Sequence, residues 1–170
     1  MMHHLRLSSC HICKVGILAA PYHAGLKDSE RKEIQENWTS GKIQVAVATV
    51  AFGMGIDLPH VRYVVHWSIA KTLEGFYQES GRGGRDGKPS VSIVYYSKGD
   101  ESLFAFLIKK QEERMNKDNA KKRRDNSNLI ALKGMVDYCT KEECRRKLIL
   151  QHFGEKINPK IVCKGTCDYW

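Results

Sequence analysis

With 170 residues, the chain has room for one domain of ordinary size or one with a small appendage, and 42% hydrophobic residues give it a core, which excludes wholesale disorder. A net charge of +9 and a pI near 9.3 point to an anionic partner. No stretch approaches the roughly 18 to 20 apolar residues of a bilayer span, and MMHHLRLSSCHICKVGILAAP carries no convincing cleavage site, so no membrane partner is expected and the six cysteines read as free thiols or metal ligands.

In chain order, four short β-rich runs stand out: GILAAPYHA, QVAVATV, RYVVHW and SVSIVYYS. Between them, KDSERKEIQENW and KTLEGFYQES carry charged helical faces. Asp28 or Ser29 is placed to cap the first, and Ile34 and Trp38 recur at helical spacing. Strands alternating with helices predict an α/β fold with a parallel sheet, and near-continuous hydrophobic strands predict helices on both of its faces. After Tyr96 the pattern changes. Residues 102–117 read as a helix, a polar stretch follows, and residues 129–138 and 144–153 read as two more helices before a cysteine-bearing tail. Residues 105–170 hold 16 Lys and Arg against 9 Asp and Glu, whereas the first 104 hold 12 against 10, so the basic character belongs mainly to the last third.

Two loops carry the chemistry. AFGMGID, residues 51–57, directly follows the strand QVAVATV. Parallel sheets gather ligands at the carboxyl ends of their strands, so this loop lies on the functional edge or is a plain glycine turn. Thr49, at the strand's end, offers a hydroxyl to a phosphate oxygen; Asp57 offers a carboxylate to a ribose hydroxyl or an arginine. QESGRGGRDG, residues 78–87, places Arg82 and Arg85 in a glycine-rich run with carboxylates on either side. A guanidinium is a planar, permanently charged fork that suits phosphate oxygens. Alone, such arginines are usually just solvated; together with AFGMGID they point to a phosphate.

YHAGL (residues 22–26), ATVAFGMGID (48–57), VRYVVHW (61–67), YQESGRGGRDG (77–87) and CRRKLILQHFG (144–154) stand in the order found in RecQ-family DNA helicases, which this chain resembles from about residue 16 to 168. Within that family, the basic helix after YYS and the C-x3-C-D tail resemble most the animal branch numbered five, with the branch numbered one as a rival. The resemblance implies an α/β fold: a second RecA-like helicase lobe, a parallel sheet flanked by helices with its first strand missing, then a small helical zinc-binding module. It divides the chain into an unmatched N-terminal segment (1–15), the helicase lobe (16–100), a helix and basic linker (101–128), and a zinc-binding hairpin with its cysteine tail (129–170).

The same resemblance implies that ATP with Mg²⁺ binds between two lobes. By position, Arg85 is the arginine finger on the γ-phosphate and Arg82 supports it. Gln78 relays between nucleotide and DNA, while Gly55 and Asp57 lie on the nucleotide side. His23, Thr49, Arg62 and Trp67 lie towards single-stranded DNA. Gly83 stands where the family usually has alanine, a change expected to loosen the turn slightly. No G-x-x-x-x-G-K-[ST] loop is present, since Gly41-Lys42 is followed by Ile43 and Gly87-Lys88 by Pro89, and no Asp-Glu pair follows a strand. The expectation is therefore no ATPase from this chain alone; Mg²⁺ and most of the ATP belong to the first RecA-like lobe of the same helicase.

The zinc ligands carried over are Cys144, Cys163 and Cys167. The family's fourth cysteine falls on Trp170, whose indole nitrogen only donates. His152 and Cys139 are near but do not match the family's ligand pattern, so a water, an unrelated thiol or a metal-free set of thiols stays open. CHIC (10–13), with no second pair at matching spacing, reads as chance. KKRR (121–124) reads as a nuclear import signal, a phosphate contact or a solvated linker. The leading function is part of an ATP-dependent 3′-to-5′ DNA helicase acting on single-stranded or forked DNA in the nucleus. The alternative is a non-catalytic nucleic-acid-binding fragment or regulator without ATPase activity.

Overall fold

The structure is a computed structural model that describes residues 2–49, 58–118, 127–158 and 163–169. It divides into two compact units, Met1–Leu58 and Pro59–Trp170.

The first unit begins with a helix that the motif resemblance leaves unmatched, α1 (Met2–Lys14). Leu5, Ser9 and Ile12 recur at helical spacing on its more buried side, and Ser9, 4% exposed, satisfies its hydroxyl by donating to the Leu5 carbonyl at 3.0 Å. Strand β1 (Ala19–Tyr22) pairs in parallel with β2 (Val45–Ala48), from Ala19 opposite Val45 to Tyr22 opposite Ala48. Helix α1 packs along both strands, and α2 (Asp28–Thr39) packs on β1. Asp28 is the first residue of α2 rather than its cap: the Lys27 amide donates to Glu30 Oε2 at 2.9 Å, so the carboxylate inside the first turn reaches back. Ile34 and Trp38 lie on the half-buried side, as their spacing predicts.

In the second unit, β3 (Tyr63–His66) pairs in parallel with β4 (Val91–Val94), from Tyr63 opposite Val91 to His66 opposite Val94. Helix α3 (Leu73–Ser80) is capped by Thr72 Oγ1, which accepts from the Gly75 amide at 3.0 Å. Three further helices follow: α4 (Lys98–Asp118), α5 (Ser127–Thr140) and α6 (Arg145–His152). Helix α4 starts earlier than its apolar periodicity predicts, because Ser97 Oγ accepts from the Asp100 amide at 3.1 Å and caps it.

One core joins these elements. Ile69, Leu73, Phe76, Ile108, Leu132, Met135 and Tyr138 are buried together, with Val94, Leu148 and Ile149 packed against them. The Phe76 ring lies 4.9 Å from that of His66 and 5.0 Å from that of Tyr138. The apolar side of α3 therefore packs on α5, across the boundary expected near residue 100. The compact units part at Leu58 and Pro59 instead.

Among the described residues the strands form two separate parallel pairs rather than one sheet. The expectation of helices on both faces holds for one side of β3–β4 only. Val64, His66 and Val94 are at least half-buried, while Tyr63, Val65, Val91 and Ile93 are exposed. Among the described residues no helix is long and apolar enough to cross a membrane.

Candidate functional site: an arginine turn and a thiol cluster

The run QESGRGGRDG begins on α3 and leaves it at Gly81. Arg82 and Arg85 then sit in a turn stitched to the segment ahead of β3. The Gly84 amide donates to the Val61 carbonyl at 2.9 Å and the Asp86 amide to the Pro59 carbonyl at 3.2 Å. Inside the turn, the Gly87 amide reaches the Gly84 carbonyl at 3.0 Å and the Lys88 amide reaches Asp86 Oδ1 at 3.1 Å. Arg85 Nε approaches the Gly81 carbonyl at 3.4 Å. Glycine is required at 84: φ is +69°, and a Cβ would stand 2.8 Å from both the Lys88 carbonyl and Ser90 Oγ. Gly84→Ala is expected to destabilise the second unit by about 1–3 kcal/mol, read as a lowered midpoint in thermal or urea unfolding. Gly83 does not leave the turn slack. A Cβ there would meet Ser90 Oγ at 3.0 Å and Val64 Cγ2 at 3.4 Å, so alanine would have to press Ser90 aside.

Two carboxylates beside the arginines tie the turn down. The Asp86 carboxylate pairs with Arg62, and Glu79 Oε2 lies 2.8 Å from His66 Nε2. Arg62 Nε also donates to the His60 carbonyl at 3.1 Å, Nη1 to the Pro89 carbonyl at 3.0 Å and Nη2 to the Pro59 carbonyl at 3.2 Å. Asp86, Glu79 and His66 are the site residues that motif reasoning passed over; their signal is the pair of acidic residues flanking the glycine run.

The Arg62 hydrogen bond, ahead of the Lys88 amide and the Arg62 charge, holds the Asp86 carboxyl below its ordinary value. A depressed carboxyl contributes stability that is complete above the unfolded-state pKa of about 4 and is lost as pH falls through the folded value. The Gly84 and Asp86 amide resonances are therefore expected to hold steady from neutral pH to about 5 and to shift only below about 4, as NMR titration would show.

The remaining sequence-predicted residues are scattered. His23 directly follows β1 and is 4% exposed, with neither ring nitrogen hydrogen-bonded. Thr49 follows β2, half-buried, its amide donating to the Tyr22 carbonyl at 3.2 Å. Trp67 is 83% exposed beside Tyr95, ring centroids 5.4 Å apart, just past the carboxyl ends of β3 and β4. Gln78 is exposed on α3. Gly55, Asp57, KKRR and Trp170 lie outside the described residues.

The thiol cluster forms at the other end of the second unit. Cys144 immediately precedes α6, and Cys163 and Cys167 come from the tail; their sulfurs lie within 4.8 Å of one another, with Cys163 and Cys167 3.1 Å apart. Tetrahedral Zn–S bonds of about 2.3 Å set sulfurs about 3.8 Å apart, so the set fits zinc. Cys163 is completely buried. Its thiol is pulled down to about 7, first by the Cys167 hydrogen bond against the opposing effect of burial, then by Cys144 and the amides of Cys167 and Thr166. Burial pushes the Cys144 thiol up. Among the described residues no other His, Cys, Asp or Glu joins this group. His152 pairs instead with Glu74, Nε2 to Oε1 at 2.6 Å, and burial holds the Cys139 thiol up at about 11.

Arginines lock the tail. Arg145 grips Asp168 with Nε to Oδ1 and Nη2 to Oδ2, both at 2.9 Å, and donates to the Tyr138 and Lys141 carbonyls. Arg146 Nη1 donates to the Cys163 carbonyl at 3.1 Å.

Residues 2–87 match the model of the helicase conserved C-terminal domain, and residues 99–169 match that of RecQ zinc-binding. The chain belongs to the RecQ helicase family. The helicase match starts within α1, ahead of the motifs. This RecQ chain is 45% identical over 154 residues to ATP-dependent DNA helicase Q5 of Mus musculus, covering 91% of the chain and 15% of that relative. It is 45% identical over 152 residues to ATP-dependent DNA helicase RecQ of Bacillus subtilis, covering 89% of the chain and 24% of that relative. It thus spans a minor part of these relatives. Among solved structures it is similar to the E. coli DEAD-box protein SrmB, with a TM-score of 0.53 at 21% identity over 61% of each chain. S. cerevisiae Dbp5 bound to RNA and ADP BeF3 gives a TM-score of 0.51 at 22% identity, over 64% of this chain and 30% of that one. The RecQ chain is therefore a RecA-like helicase lobe of parallel strands and helices carrying a zinc-binding module, the fold class that its motifs imply.

Proposed function

We propose that this RecQ chain is the second motor lobe and zinc module of an ATP-dependent 3′-to-5′ DNA helicase. The observation that carries it is the arginine turn, which holds Arg82 and Arg85 on a backbone-stitched frame instead of a loose loop. Arg85 acts as the finger on the γ-phosphate of ATP and Arg82 supports it. Gln78 relays to DNA, and Gly55 and Asp57 complete the nucleotide side. A first lobe supplies the phosphate loop and holds Mg²⁺, and closure of the two lobes brings Arg85 to the phosphate. His23, Thr49 and Trp67 face the single strand, where contact is mostly to backbone phosphates and weakens with salt. Cys144, Cys163 and Cys167 hold Zn²⁺, which supplies folding free energy and no reaction step. Residues 16–100 form the motor lobe and 129–170 the zinc module. The setting is nuclear.

Single-stranded DNA-stimulated ATP turnover tests this, measured on the 170-residue chain and on the same chain placed after a first RecQ lobe. Turnover is expected only from the second. Turnover by the chain alone refutes the division of labour between lobes. Failure of the joined protein, with DNA binding intact, favours a non-catalytic nucleic-acid-binding role.

A further inference from the structure

We propose that Arg62 is a positioning residue that sets the arginine turn, and not a contact to nucleic acid. The proposal rests on the reading of Arg85 as the finger and goes beyond it by naming what holds the finger in place. All three guanidinium nitrogens are occupied: Nε by the His60 carbonyl, Nη1 by the Pro89 carbonyl, and Nη2 by the Pro59 carbonyl and the Asp86 carboxylate. Turning this fork toward a DNA phosphate would take the Arg62 donor from the His60 and Pro89 carbonyls and leave the Pro59 carbonyl and the Asp86 carboxylate with only the backbone amides of Asp86 and Lys88. The acceptors lie on both flanks of the turn, so one planar group ties its far limb (Asp86, Pro89) to the segment that leads into β3 (Pro59, His60). The Arg62 backbone adds to this, its carbonyl accepting from the Val91 amide at 2.8 Å.

The near limb of the turn is tied to the same strand. Glu79, at the end of α3, meets His66, the last residue of β3. Arg82 and Arg85 therefore lie between two straps anchored at the two ends of β3. Their position relative to the strand is set before a nucleotide arrives, which removes a reorganisation cost from the step in which they stabilise developing charge. A lysine cannot serve in place of Arg62, because one ammonium on a flexible stem does not span acceptors on both limbs.

Amide hydrogen exchange at Gly84 and Asp86 reads the clamp directly in the 170-residue chain, since both amides donate across it. Arg62→Ala and Asp86→Asn are each expected to speed exchange at these two amides about tenfold or more, and Arg62→Lys to fail as a rescue. Affinity for a labelled oligo(dT) should change less than twofold in all three. In the protein joined to a first lobe, Arg62→Ala should lower kcat for ATP while leaving KM near its original value. Unchanged exchange at both amides overturns the proposal, as does a loss of oligo(dT) affinity with exchange intact. Should Arg62→Ala fail to fold, Asp86→Asn decides, because it keeps the side-chain volume and removes only the charge. A normal turnover rate for Arg85→Ala sinks the finger reading yet leaves the exchange result standing, so the two ideas fail separately.

Discussion

Arg85→Ala, in a protein that places a first helicase lobe ahead of this chain, is expected to lower ATP turnover by roughly three to five orders of magnitude while ATP still binds. The size follows from what the side chain does. Charge builds on the transferring phosphoryl group, and a guanidinium held in a water-poor cleft stabilises it far more than it stabilises bound ATP. Binding is expected to survive because the proposed division of labour assigns the phosphate loop and Mg²⁺ to the other lobe. The structure gives the expectation its mechanical basis: Gly84 and Asp86 bond to Val61 and Pro59, which ties down the turn that carries Arg85. Arg85→Lys keeps the charge and loses the fork, and an intermediate rate is expected. Single-turnover hydrolysis beside equilibrium binding of a labelled nucleotide separates the two effects. Near-normal turnover in the alanine variant would show that Arg85 is not the finger.

Cys163→Ser is expected to carry the largest effect on stability. Cys163 is completely buried, and its hydrogen bonds with Cys167 and Cys144 pull its thiol down to about 7. Removing it leaves two thiolates, too few to hold zinc, and buries a hydroxyl in a pocket shaped for sulfur. Loss of a structural metal of this kind should cost about 3 kcal/mol or more, a fall of roughly 6–12 °C in the melting midpoint. A chelator should produce a similar fall in the parent chain and almost none in the variant. Zinc content by elemental analysis should drop from near one per chain to near zero. If the parent purifies without metal and melts identically with and without chelator, the three thiols are a free cluster. Trp170→Cys tests the same centre from the other side: added zinc affinity and a higher midpoint are expected if that position completes the tetrahedron.

How much of this was legible in the sequence differs by element. The four strands and the helices after residue 100 announced themselves, because β-branched runs and 3.6-residue periodicity are local properties of the chain. The two arginines stood out as guanidiniums in a glycine-rich run, whereas the set Cys144, Cys163 and Cys167 came from the resemblance to the family, and folding brings those three sulfurs within 4.8 Å of one another. Helix α1 was not legible: its apolar positions, Leu5 and Ile12, are sparse, and its burial rests on packing against β1 and β2. The partners of Arg62 were not legible, because they are set by residues far along the chain. Arg62 meets Asp86 and Pro89, more than twenty positions away.

The sequence by itself determined the alternation of strands and helices, which depends on short-range order, while the resemblance of its motifs pointed to the family and to the candidate side chains. Only the tertiary structure decided which of those side chains are held and which point outward. It also joined α3 to α5 through Phe76, Met135 and Tyr138. The physical reason is that a guanidinium or an imidazole has no fixed partner in sequence. It takes the acceptors that folding brings within about 3 Å, and in this chain the acceptors of Arg62 are assembled only when β3, β4 and the arginine turn close on one another.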